Sequence, residues 1–294
     1  MNHDTQAFER HRPRLLGLAY RMLGSLAEAE DMVQEAYLRW HGADRGAVAE
    51  PFAYLARTVS RLCLDHLKSA RARRETYVGP WLPEPVVDSP WPAPAPAPDP
   101  DWLHDVSYAL MLALERLSPL ERAAFLLHDV FDVEFAEIAG VLDRSEAACR
   151  QLATRAREHV REARPRFAVS AEEGNRLAQA FLAAVQGGDT DGLMRMLAKD
   201  AVLLSDGGGK RLAALNPILG ADKITRFLMG VRAKAEGFER YAYRPARVNG
   251  LPGFLVSEPD GAHHTMAFDM AGGRVVGIYV VLNPDKLALL QAVA

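Results

Sequence analysis

At 294 residues the chain is long enough for two or three domains, and its 49% hydrophobic content suffices for real cores. A net charge of −3 excludes a globally basic nucleic-acid-binding protein, so any DNA-reading surface must be a local patch. The polar start, Met1-Asn-His-Asp-Thr-Gln, and the lack of any apolar run of roughly 18 residues argue against secretion and membrane spanning, and a cytoplasmic protein is expected.

Phe8, Leu15, Leu16, Leu18, Ala19 and Leu23 fit a first long helix, which Gly24-Ser25 breaks. Residues 28–40 predict a second, acidic at its start, where the helix dipole favours carboxylates. Glu28, Glu30, Asp31 and Glu35, with Gln34, give it an acidic polar face. Such a face repels DNA and suits a protein partner better. Pro51 opens a third helix as an N1 proline, and residues 52–74 follow without a breaker. On its wheel Arg57, Arg61, Lys68 and Arg71 fall within about 80°, opposite Leu55, Val59 and Leu62, with Leu64 an exception on the basic side. Arg73 and Arg74 extend the charge, and Phe52 and Tyr54 stand at the entrance. Cations that hold phosphates beside rings that stack on bases suit a melted strand; a solvated amphipathic helix gives the same pattern.

Half of the 18 prolines fall between positions 80 and 100, which forbids helix or central strand and predicts an extended, partly polyproline linker. Within it, Trp81-Leu-Pro-Glu-Pro85 carries two large apolar side chains. A solvated tether gains nothing from them, so docking on a domain is the preferred reading.

Helices resume at Trp102 and run to about Arg166. Residues 133–157 read as two short helices broken at Asp143-Arg144, the spacing of a helix-turn-helix. Phe135, Ile138, Ala139 and Leu142 form the inner face of the first. Ser145 is a good N-cap for the second, in which Cys149, Leu152 and Ala156 point inward and Glu146, Ala147, Arg150, Thr154 and Arg157 outward. Such a helix can enter a major groove; an ordinary helical hairpin with a basic face is the alternative. Cys63 and Cys149, on or beside apolar stripes, read as reduced core thiols. With no histidine partner nearby they give no zinc site, and no metal or other cofactor is expected.

After Ser170 the pattern changes. Residues 172–186, 189–197 and 221–235 look helical. Strand-like runs 201–205 and 211–215 flank a turn at Asp206-Gly-Gly-Gly-Lys210. Four more strands, 241–248, 253–257, 264–270 and 275–282, are separated by Asn249-Gly250, Pro259-Asp-Gly261 and Gly272-Gly273, and a helix at 284–293 closes the chain. This predicts an α+β domain with helices against a curved antiparallel sheet. The glycine run lacks the spacer and the Ser/Thr of a P-loop. It reads as a hairpin turn or, because three glycines exceed what a turn needs, as a close interdomain contact. Asp206, His263, His264 and Asp269 can be assembled into an acid–base set, but histidines beside a turn are usually structural, and no catalysis is expected.

Residues 29–40, Ala-Glu-Asp-Met-Val-Gln-Glu-Ala-Tyr-Leu-Arg-Trp, resemble the polymerase-binding segment of group IV (extracytoplasmic-function) bacterial sigma factors. Residues 55–74 resemble their −10 recognition helix, and 117–130 with the helix-turn-helix resemble their −35-reading domain. Trp81-Leu-Pro-Glu-Pro85, Asp206-Gly-Gly-Gly-Lys210 and Asn283-Pro-Asp-Lys-Leu287 resemble the sigma subfamily with a fused SnoaL-like, NTF2-like C-terminal domain. The resemblance implies a multidomain chain: two all-α sigma domains, region 2 over 1–75 and region 4 over 105–167, a proline-rich linker over 76–104, and an α+β SnoaL-like regulatory domain over 170–294. It implies a transcription initiation factor that binds core RNA polymerase and promoter DNA, with its own C-terminal domain as regulator and a pocket there able to admit a small ligand of unspecified kind. Residue by residue, it implies polymerase contact by Asp31, Gln34, Glu35 and Leu38. It implies −10 contact by Phe52, Tyr54, Arg57, Ser60, Arg61, Lys68 and Arg71, and −35 contact by Ser145, Glu146, Arg150, Thr154, Arg155 and Arg157. Interdomain regulation falls to Trp81, Leu82, Pro83, Asp206, Gly207, Gly208, Gly209, Lys210, Asn283, Pro284, Asp285 and Lys286. Two positions depart from the family pattern. Asp143 stands where a turn glycine is common, though Asp tolerates the left-handed conformation. Arg61 replaces a common asparagine, so the −10 preference does not carry over. An enzyme with a DNA-binding appendage is the competing class, which the three ordered segments disfavour.

Overall fold

A computed structural model describes residues 3–42, 48, 50–75, 77–88, 106–163, 170–234 and 238–291. The chain divides into two compact units, Met1–Thr76 with Ala97–Arg164, and Tyr77–Pro96 with Pro165–Ala294.

The first unit is helical. α1 (His3–Leu23), α2 (Leu26–Gly42) and α3 (Pro51–Glu75) come first. α1 stops because Gly24 takes φ +73°, and its N–H returns to the Tyr20 carbonyl at 2.7 Å. Ser25 then caps α2, accepting from the Glu28 N–H at 3.3 Å. Leu55, Val59, Cys63 and Leu67 make the buried stripe of α3, at i, i+4, i+8 and i+12. Leu64, the exception on the basic side, is also buried.

α4 (Tyr108–Glu115), α5 (Pro119–Phe125) with a π-type turn at Leu126–Val130, α6 (Phe135–Leu142) and α7 (Glu146–Ala163) follow. Trp102, the expected start of this group, lies outside the described residues; the first described turn begins at Tyr108, capped by Ser107. Ser118 and Glu121 form a reciprocal capping box on α5. Asp143 ends α6 at φ +54°, ψ +54°, and Ser145 Oγ accepts from the Ala148 N–H at 3.2 Å, so the turn forms with aspartate in the left-handed position. The inner stripe of α7 is Cys149, Ala153, Ala156 and Val160; Leu152, expected inside, is half-buried beside it. Both cysteines are free and buried, and burial pushes both thiols up. Within this unit Arg122, itself buried, donates to the Met22 carbonyl at the end of α1 (2.6 Å) and pairs with Glu115 (3.0 Å).

The second unit is α+β. α8 (Ala171–Gly187), α9 (Thr190–Met196) and α10 (Ala221–Lys234) accompany a seven-stranded sheet ordered β1-β4-β5-β6-β7-β2-β3. Its strands are β1 (Val87–Asp88), β2 (Leu197–Asp206), β3 (Ile218–Leu219), β4 (Ala242–Val248), β5 (Leu251–Ser257), β6 (His263–Ala271) and β7 (Arg274–Val281). β4 to β7 form the expected meander. Asn249-Gly250 (φ +49°, +71°) and Gly272-Gly273 (φ +56°, +71°) supply its tight turns, each needing two left-handed residues. Phe181 on α8 and Ile224 on α10 pack with Leu203, Phe254, Phe268 and Ile278 of the sheet. Helices against one sheet make this an α+β unit, as expected.

Three expectations are corrected. The sheet is mixed, because β2 pairs parallel with β7; the two are far apart in sequence, so no tight turn imposes an antiparallel sense. Residues 211–215 are irregular, so the glycine run is not a hairpin turn; the next strand, β3, comes only at Ile218. The C-terminus begins with a 3-10 turn, Pro284–Lys286, and then a short helix α11 (Ala288–Gln291), because Asn283 Oδ1 accepts from the Asp285 N–H at 3.1 Å and fixes a tight entry.

Candidate functional site

Asp31, Gln34, Glu35 and Leu38 occupy i, i+3, i+4 and i+7 of α2 and therefore one stripe, opposite buried Ala29, Val33, Ala36 and Trp40. Asp31 and Gln34 are exposed, Glu35 pairs with Arg39 at 3.0 Å, and Leu38 is 58% exposed among these polar groups. An open apolar side chain inside an acidic rim has the composition of a protein-binding face.

On α3 the predicted residues separate. Lys68 is exposed and pairs with Asp65 at 2.7 Å. Arg61 donates to the Gly140 carbonyl (2.5 Å) and the Val141 carbonyl (3.3 Å), acceptors left open at the C-terminal end of α6. Arg57 is half-buried, and Ser60 is fully buried and presents nothing to solvent. Phe52 and Tyr54 are half-buried and not free to stack: the Arg14 guanidinium lies 4.1 Å from the Phe52 ring, and Trp40 lies 5.7 Å from Tyr54. The side chains of Arg71, Arg73 and Arg74 lie outside the described residues.

α7 holds its polar residues outward. Arg150 pairs with Glu146 one turn back and stands 5.3 Å over the Phe135 ring. Thr154 donates to the Arg150 carbonyl (2.9 Å), Arg155 pairs with Glu121 (2.8 Å), and Arg157 with Asp129 (2.7 Å). All three arginines keep 41–56% of their side chains exposed. Glu146 is half-buried in the first turn, behind the capping Ser145. Arg164 and Arg166, which follow α7 in the sequence, lie outside the described residues.

Residues 77–88 belong to the second unit and are seated in it. Asp206, fully buried, accepts at Oδ1 from the Tyr77 hydroxyl (2.5 Å) and at Oδ2 from the Leu82 N–H (2.8 Å) and Lys286 Nζ (2.7 Å). Lys286 also donates to the Leu82 carbonyl (2.5 Å) and lies 4.3 Å from the Trp81 ring and 4.9 Å from that of Tyr77. Asn283 Nδ2 donates to the Tyr77 hydroxyl at 2.9 Å. Burial, and then the Asp206 carboxylate, push the Tyr77 phenol up. Gly208, at φ +59°, lies where a Cβ would overlap the Asn283 amide, and Gly209, at φ +73°, where one would press on Val78 at 3.3 Å. These glycines therefore let the backbone come close. Lys210 pairs with Asp285 at 2.7 Å. Further along, Val86 and Asn249 exchange two hydrogen bonds, and β1 pairs antiparallel with β4. Leu82 and Pro83 are buried; residues 89–105 of the linker lie outside the described residues. Tyr77 gives no signal in the sequence because its partners lie more than a hundred residues away.

The four residues that could make an acid–base set are not brought together. Asp206 is committed to the linker, His263 bonds to Ser257, and Asp269 is buried with no histidine partner among the described residues, its carboxyl pushed up by that burial. His264 is buried, not solvated, and meets Glu258 at 3.0 Å. Glu258 also accepts from Arg211 (2.7 and 2.8 Å) and the Tyr241 hydroxyl (3.2 Å). The hydrogen bond from His264, and then the Arg211 charge, hold its carboxyl down at about 2 against the desolvation that opposes them. These groups close one side of a cavity of about 240 Å³ between α8, α10 and the sheet.

Residues 7–73 match the family model of Sigma-70 region 2, and residues 107–160 that of Sigma-70, region 4. The ECF RNA polymerase sigma factor SigJ of Mycobacterium tuberculosis is 41% identical over 293 residues, covering 96% of this chain and 93% of its own. The chain belongs to the extracytoplasmic-function RNA polymerase sigma factors. A probable ECF sigma factor of the same organism, SigI, is 32% identical, with 99% and 97% coverage. The crystal structure of SigJ superposes with a TM-score of 0.78 at 38% identity, covering 97% of this chain and 98% of that one. Sigma-70 regions 2 and 4 bind core RNA polymerase and promoter DNA, so this sigma factor is a transcription initiation factor and, as such, a non-enzymatic one.

Proposed function

We propose that this sigma factor engages core RNA polymerase through the α2 stripe, the −10 element through α3 and the −35 element through α7, and that its C-terminal domain regulates it by holding the linker. The domain roles follow the division 1–75, 76–104, 105–167 and 170–294. One observation supports the regulatory part above all: residues 77–88, which begin the connection between the two promoter-reading regions, are bound by Asp206, Asn283 and Lys286. A free linker leaves the separation of the two regions open, whereas a seated one restricts it. A regulator on the same chain acts at high effective concentration, so no separate inhibitor is required. The domain acts by binding, without turnover of its own, and the protein works in the cytoplasm with the polymerase.

The test is run-off transcription with graded C-terminal truncations. Deletion from residue 285 onward removes Lys286 and should raise promoter activity; deletion from 168 onward removes the whole seat and should lower it if the same contacts also help promoter binding. Identical activity for every truncation and the full chain would make the domain a passenger. For the polymerase face, charge reversal at Asp31 and Glu35 together should abolish co-purification with core enzyme, with folding unchanged by circular dichroism.

A further inference from the structure

The cavity of the second unit is a separate feature from the linker seat. Phe181, Phe227, Phe238, Tyr241 and Tyr243 supply rings to its wall, and Leu203, Val280 and Met266 supply aliphatic surface. Interiors are packed to crystal density, with few voids larger than a water molecule, so a space of about 240 Å³ is unusual. It exceeds the roughly 150 Å³ cavity that takes up benzene, and matches a two-ring molecule of on the order of ten to twelve heavy atoms. Two apolar side chains of its lining lie open to solvent, Leu212 at 98% and Val231 at 43% exposure, and give it an apolar mouth.

The charged end of the cavity is internally complete. Both Glu258 oxygens are occupied by Arg211, His264 and Tyr241, and Arg211 is neutralised by Glu258, with Asp260 at 3.7 Å. An ionised carboxylate only accepts, so His264 Nδ1 carries the shared proton. An anionic guest would meet the Glu258 carboxylate and a cationic guest an already paired guanidinium, and each would lose its hydration without a counter-charge. The uncommitted hydrogen-bonding groups are neutral. Tyr243, whose phenol is pushed up to about 12 by burial, makes no hydrogen bond among the described residues, and Ser205 accepts from the Ala214 N–H while keeping its own proton to donate.

We propose that this cavity binds a small, uncharged, ring-bearing molecule with one hydroxyl or carbonyl oxygen, the rings against the aromatic wall and the oxygen on the Tyr243 hydroxyl. The binding site does not depend on the regulatory reading above, because it is measured without polymerase or promoter.

The experiment uses the full chain carrying ¹³C-methyl methionine, titrated with 1-naphthol, naphthalene and 1-naphthoate. Met266 lines the cavity, whereas Met22 and Met111 are buried in the helical unit and serve as internal controls. Met266→Leu assigns the resonance. The expected result is a saturable shift of the Met266 methyl with 1-naphthol, no shift at Met22 or Met111, roughly two- to tenfold weaker binding of naphthalene for the missing hydrogen bond, and at least about tenfold weaker binding of 1-naphthoate. Leu182→Trp, which fills the space, should abolish the shift. If that variant does not fold, Tyr243→Phe decides, by removing or reducing the preference for 1-naphthol over naphthalene. No saturable shift with any probe, equal affinity for the carboxylate, unchanged binding in folded Leu182→Trp, or an unchanged preference in Tyr243→Phe would each overturn the assignment.

Discussion

The outer face of α7 and the Asp206 seat use the same chemical groups in opposite ways. On α7 the arginines pair with Glu146, Glu121 and Asp129 while about half their surface stays in water. Such pairs are worth about 0–1 kcal/mol, so a phosphate or a base edge can replace the protein partner at little cost. Asp206 has no exposure, and its lysine is 13% exposed. There the charge was removed from water on folding, and its partners cannot leave without stranding it. Solvent access thus separates arginines that are available for exchange from a carboxylate that holds the structure together.

The comparison breaks most sharply at Lys286. Lys286→Met should destabilise the second unit by about 3–5 kcal/mol, because Asp206 is left buried without its cation. Adding Asp206→Asn should recover part of the loss. Chemical denaturation of the single and double variants measures both, and additive losses would contradict the coupling.

On the exposed side, Arg150→Ala should cost about 1–3 kcal/mol in promoter affinity if the side chain is bidentate to guanine, with thermal stability shifted by less than about 0.5 kcal/mol. Titration of a −35 duplex against a melting curve separates the two. Each phosphate-binding side chain removed from α7 should also flatten the log–log salt dependence by about one unit.

Acid offers a smaller, graded test. The Glu258 carboxyl is held at about 2, below its ordinary value of 4.5, first by the hydrogen bond from His264. A depressed carboxylate adds stability that is complete above the unfolded value and lost as pH falls through the folded one. The contribution is therefore full above about pH 4.5 and disappears toward pH 2. Tyr241, Arg211 and Asp260 share this cluster. Stability measured against pH should fall less steeply over that window in Glu258→Gln.

The smallest expected effect is at Asp143, a non-glycine residue at φ +54°. Asp143→Gly should leave stability within about 1 kcal/mol of the parent, whereas Asp143→Val should lose about 1–2 kcal/mol to the left-handed backbone. Thermal melting of both variants checks the sign.

Local signals made most of the fold legible. Ser145, Gly24 and the Asn249-Gly250 turn each act within four residues, so their chemistry is written beside the structure they produce. The face of α2 followed from spacing alone. Periodicity was less exact for α7, where Ala153 and Leu152 are neighbours and the buried stripe passes through the smaller one. Long-range choices were illegible. Arg61 meets carbonyls some 80 residues away, and the Glu258 cluster draws on Arg211, Tyr241 and His264 from separate segments. No window of sequence contains those neighbours. The same holds for Ser60, whose place on the basic helix gave no sign of complete burial.

The second unit is built from two stretches of chain with region 4 between them. Its boundary is therefore not a single point in the gene. A recombination event that exchanged everything after residue 168 would bring a foreign seat to a native anchor, leaving Leu82 and Tyr77 facing the wrong partners. Positions 77, 206, 283 and 286 are bound to one another by contact and not by proximity in the chain. They should therefore be inherited as a set, with a change at one tolerated in a lineage only where another has changed with it.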